Sequence, residues 1–238
     1  MSNEDPITES AKAAQEIAKT AGKAIDATQK FGGFISQYFS GTLEQGMGIF
    51  EDKLKYYRWE RQARFIQQSK VLMREIGLDR PTRQIPLKFA IPLLEAASLE
   101  DDDYLQDLWA KLLVNAANEN CELTLQRTYI SILEQLTKFE AVILQKIYDL
   151  PYDASAHQGI ITGKLPTEAS VVIRSNTLET LLEPSKDVKL ALSNLARLGC
   201  ILIEQDWNGG EHFHNIQPTL LGKTFFDACT LSIIENIQ

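Results

Sequence analysis

A chain of 238 residues, 44% hydrophobic and 24% charged, is long enough to bury a sizeable core in one or two domains. Its formal net charge of -8 argues against general affinity for nucleic acid or anionic membrane, and Cys121, Cys200 and Cys229, with no CxxC spacing, read as buried reduced thiols, not as a disulfide frame or zinc site. The acidic start MSNEDPITES is neither a signal nor a transit peptide, and no apolar run reaches the ~18 residues of a spanning helix, so the expected location is cytoplasmic.

Residues 1–8 are expected to form a disordered tail. Residues 9–30 are Ala-rich and helix-forming, with Ala11, Ala14, Ala18, Ala21, Ile25 and Thr28 on one stripe. Small side chains bury little area per turn, and at ~25 cal/mol per Å2 that stripe anchors weakly. Between residues 31 and 50, Gly32, Gly33, Gly41, Gly46 and Gly48 alternate with aromatic and aliphatic residues around a single charge, Glu44. Such a segment either packs tightly on the rest of the protein as a helical hairpin or lies at a membrane surface. On the second reading Phe31, Phe34, Ile35, Tyr38 and Phe39 are the candidate membrane or partner contacts, followed by basic residues suited to anionic lipid.

Residues 43–76 carry the spacing of one long helix, ~50 Å at 1.5 Å per residue, with an apolar stripe resuming at Phe65, Ser69, Leu72, Met73 and Ile76 and ending at Gly77. Basic residues outnumber acids between 51 and 88, whereas residues 95–107 carry only acids, and the two segments are expected to neutralise each other in part. Tyr56, Tyr57 and Trp59 interleave with Lys55, Arg58 and Arg61; with Arg64 this face is a candidate nucleic-acid contact. Pro86 suits a first helical position, and Pro92 should kink or restart the helix that follows.

Residues 98–117, SLEDDDYLQDLWAKLLVNAA, hold the cleanest pattern. Leu105, Leu108, Trp109, Leu112, Leu113 and Ala116 share one apolar face, while Asp103, Gln106, Asp107 and Lys111 fall opposite, with Asp107 and Lys111 an i,i+4 pair. Ser98 with Asp101 reads as a capping-box-like start. A polar break at 118–125 precedes helices over 128–136 and 137–150, the second with a capping box of Thr137 and Glu140. Residues 152–170 read as a mobile loop. A short helix at 177–182, a second capped by Ser185 and ending at Gly199, a strand at 200–205, an Asn208-Gly209 turn, a return strand at 212–217 and a closing helix follow. That order is similar to a winged-helix module, with ARLGCILIEQ and LLGKTFFDA as the recognition-helix end, wing and final helix.

FEDKLKYYR, IPLKFAIPLLEAASLED and YLQDLWAKLLVNA together resemble the abortive infection alpha family of bacterial phage-defence proteins. The resemblance implies arrest or death of an infected cell before phage release. It implies no enzymatic activity and carries no catalytic residue.

No Walker loop, GxGxxG, HExxH or nucleophile elbow is present. His212 and His214, at i,i+2 on a strand, form a weak metal-like pair for which Glu204 or Glu211 would supply a carboxylate, and an exposed strand edge is the preferred reading. The acids at 100–103 suit a helix start better than a magnesium site. Within the winged-helix-like module Lys189 and Arg197 are the remaining candidate nucleic-acid contacts, too few cations to favour DNA over a protein partner.

The sequence therefore predicts a mainly α protein: a disordered tail (1–8), an Ala/Gly-rich helical arm (9–50), a helical core (51–127) and a winged-helix-like module with a small β-hairpin (128–238). It predicts no catalysis, no cofactor and no metal. The expected partners are another protein or a second copy of the chain, then a membrane surface on activation, with nucleic acid the least favoured.

Overall fold

The computed structural model describes residues 30, 33–34, 36–38, 59–172, 182–205 and 209–231. The expected tail, most of the Ala-rich helix, the first half of the long helix, residues 177–181 and Asn208 lie outside the described residues. Among the described residues the chain forms a short 3-10 turn (Ser36–Tyr38), eight α-helices and four short strands. In order these are α1 (Trp59–Glu75), α2 (Leu87–Leu99), α3 (Asp103–Ala116), α4 (Arg127–Glu134), α5 (Lys138–Tyr148), α6 (Tyr152–Gln158), β1 (Ile160–Ile161), β2 (Ser170–Val171), α7 (Lys186–Arg197), β3 (Ile201–Gln205), β4 (Glu211–Pro218) and α8 (Leu220–Ala228).

Helix α3 is the centre of the core, packed against α1, α2, α5 and α8. Trp109, Leu112, Leu113, Val114 and Ala116 are buried, and neighbours on several sides extend the apolar arc beyond a single stripe. Both of its ends are closed by side chains. The N-cap is Asp102, which accepts from Tyr104 N at 2.8 Å and Leu105 N at 3.2 Å, so the helix starts later than the Ser98–Asp101 spacing predicts. Ser98 is instead buried in the last turn of α2, its Oγ without a hydrogen-bond partner among the described residues. At the other end Arg83 donates from Nε to the Ala116 carbonyl at 2.8 Å and from Nη2 to the Asn115 carbonyl at 2.9 Å, placing a cation at the negative end of the helix dipole.

The local signals elsewhere hold where they are described. Gly77 sits at φ 76° with its N–H on the Arg74 carbonyl and Leu78 N–H on Met73, closing α1 as expected. Thr137 and Glu140 form the reciprocal capping box of α5. Helix α2 runs unbroken through Pro92 rather than restarting there, because a proline inside a packed helix forfeits one backbone bond while its neighbours Phe89, Leu93 and Leu94 remain buried.

Residues 152–170, expected to be a mobile loop, hold α6 and β1 and reach the first residue of β2. Two-residue strands are too short to show alternation; β1 gains its pairing from β4 of the hairpin further along, and β2 from β1. The sheet order is β2-β1-β4-β3, antiparallel throughout. Ile203 pairs with Ile216 and Glu204 with His212, so residues 213–215 of β4 have no counterpart on β3 and form a bulge. Asn115 joins the two halves of the fold: its Nδ2 donates to the carbonyls of Ala228 at 2.9 Å and Thr230 at 2.8 Å, at the C-terminal end of α8.

Candidate functional site

Two surfaces hold the residues singled out by the sequence. The first is the seam between α1 and α3, with the aromatic turn beside it. Arg61 on α1 forms ion pairs with Asp101 and Asp103, and Arg64 reaches Asp107 Oδ1 at 2.8 Å and Gln106 Oε1 at 2.9 Å. The basic and acidic segments therefore neutralise each other at this seam. Asp107 engages Arg64 across the helices, a partner that the expected i,i+4 pairing with Lys111 does not include. Gln106, expected on the polar face, is buried: its Nε2 donates to the carbonyls of Arg61 and Ala97, each at 3.2 Å, tying α1, α2 and α3 together.

Of the five candidate membrane or partner residues, Phe34 and Tyr38 are described, and both are buried. Their rings meet at 4.9 Å, Lys70 Nζ stands 5.9 Å from the Phe34 ring, and the Tyr38 carbonyl accepts from Ile85 N–H at 2.9 Å. Burial pushes the Tyr38 phenol well above its ordinary pKa. This part of the Gly-rich segment is docked on the core. Phe31, Ile35, Phe39, Lys55 and Arg58 lie outside the described residues.

The second surface is built on the β4 bulge and α7. Glu183, just before α7, turns toward the bulge: Oε1 accepts from the backbone N–H groups of Phe213 at 3.1 Å and His214 at 3.2 Å and lies 3.1 Å from His214 Nδ1. Its Oε2 lies 2.6 Å from Lys189 Nζ, which stands 5.7 Å from the Phe213 ring. Burial alone would raise the Glu183 pKa, but the bonds to Lys189, His214 and the Phe213 backbone outweigh it and bring the carboxyl down to about 2. The His212 and His214 rings meet edge to face at 5.5 Å, and one ligand atom from each of Glu183, His212 and His214 falls within 4.8 Å of the others. Thr162 closes the other side of the bulge, donating from Oγ1 to the Phe213 carbonyl.

The carboxylate beside the two histidines is thus Glu183, not Glu204 or Glu211; Glu204 accepts from Asn215 Nδ2 at 2.7 Å. No sequence signal links Glu183 to residues about 30 positions away, and only the chain path from α7 into the hairpin joins them. Lys189 is engaged with Glu183, and Arg197 donates to Asn194 and Gln135. Leu190 on α7 and Leu202 on β3 are exposed large apolar residues. Cys200 and Cys229 are buried as expected, whereas Cys121 is half-buried; burial pushes the Cys200 thiol up to about 12. Among the described residues no helix is long and apolar enough to cross a membrane.

A family model described as abortive infection alpha matches residues 60–229. No curated protein and no solved structure matches the chain.

Proposed function

The chain belongs to the abortive infection alpha family, and from that membership we propose that it is a phage-defence protein acting without catalysis, through protein–protein or membrane-surface contacts. The observation that carries the mode of action is the docking of Phe34 and Tyr38. These side chains come from the segment richest in glycine and poorest in charge, yet they are buried in the core, with the Tyr38 carbonyl accepting from Ile85 N–H, the two rings packed together and Lys70 over the Phe34 ring. In this reading the arm is stored on the core and released on infection, when its aromatic residues engage a membrane surface or another protein.

The C-terminal part supports the same class of function. The order of α5, β1, α7, β3, β4 and α8 favours a winged-helix-like module. The described cations proposed for nucleic acid, Lys189 and Arg197 in this module and Arg61 and Arg64 on α1, all have partners within the protein, which favours a protein over a nucleic acid as the partner.

The test is flotation with anionic liposomes of the full chain and of a chain starting at Glu51, each checked for a cooperative thermal transition. Selective flotation of the full chain supports a membrane role for the arm. If neither protein floats, including when the protein is purified from phage-infected cells, the membrane branch fails and the arm acts on protein.

A further inference from the structure

We propose that Glu183, His212 and His214 form a binding site for a divalent transition-metal ion of the zinc class. Two imidazoles and a carboxylate are the donor set that such ions take, and three protein ligands leave a fourth position open. The i,i+2 spacing puts His212 and His214 on one side of β4, and the bulge, with residues 213–215 opposite no partner on β3, presents the N–H groups of Phe213 and His214 to Glu183. Those two backbone bonds orient the carboxylate as outer-shell donors orient metal ligands.

Ligands about 2.1 Å from a tetrahedral ion stand about 3.4 Å apart. Glu183 Oε1 and His214 Nδ1, joined by a hydrogen bond, stand 3.1 Å apart, and one ligand atom from each of the three residues lies within 4.8 Å of the others, so the His212 ring turns to complete the set when the ion enters. Lys189 opposes the ion by charge, but its contacts are with Oε2 and the Phe213 ring; Oε1, beside His214 Nδ1, is the oxygen that an ion would share with the Phe213 and His214 N–H groups.

The test is calorimetric titration of the full chain, without any affinity tag, with zinc chloride, and visible absorption on adding cobalt(II). Wild type should take one equivalent. H212A and H214A should each weaken binding by about tenfold or more, while keeping the far-ultraviolet circular dichroism of wild type and a cooperative thermal transition in chelator. A second variant keeps all three ligands: K189Q removes the opposing cation and should bind zinc more tightly than wild type. Absence of binding by wild type, binding that survives in the H212A/H214A double variant, or no gain in K189Q would overturn the site.

Discussion

The ring of Tyr148 on α5 occupies the space that a side chain at Gly222 on α8 would need: a Cβ there would collide with the Tyr148 hydroxyl and with the Cys200 carbonyl. The same hydroxyl donates to Cys200 O at 2.5 Å and accepts from Thr219 N–H at 3.1 Å, so helix approach and hydrogen bonding are fixed together. Gly222→Ala should destabilise the protein by about 1–3 kcal/mol, read as a lowered urea midpoint. Adding Tyr148→Phe should recover little of that loss, because the Cys200 backbone remains in the way.

Asn115 supplies the donors for carbonyls at the end of α8. Asn115→Leu keeps the volume but leaves those carbonyls without their side-chain donor, at a cost of about 1–3 kcal/mol. Native-state hydrogen exchange should show the largest loss of protection at the α8 end.

Helix α5 opens on the reciprocal bonds between Thr137 and Glu140. Thr137→Ala should cost about 1 kcal/mol in denaturant unfolding, and Thr137→Ser should retain most of the stability.

Glu183 titrates well below its ordinary value in the fold, at about 2. A depressed carboxyl contributes stability that is present above its unfolded pKa, about 4.3, and is lost as pH falls through the folded value. Wild type should therefore lose thermal stability between about pH 4.3 and 2, and Glu183→Gln should show a shallower decline over that window in chelator-containing buffer.

What the sequence made legible was local. Ser185, Thr137, Gly77 and Gly199 act on groups within four or five residues, and each closes its helix as the spacing predicts. What it hid depends on distant partners. Gln106 looks like a surface residue until Arg64 and the Ala97 carbonyl surround it. Four consecutive acids precede or open α3, and nothing local chooses among them; burial of Ser98 in α2 leaves Asp102 to cap. Glu183 joins the histidines only after α7 and the hairpin have folded back. The short strands β1 and β2 gain their pairing from β4 and from each other.

The measurement that bears most directly on the central claim is phage plating on cells making the full chain, compared with cells making a chain that starts at Glu51 at matched abundance and with a verified thermal transition. The account predicts that the full chain lowers plating and the shortened, folded chain does not, because the arm bearing Phe34 and Tyr38 carries the effect. Equal protection by both chains would contradict it.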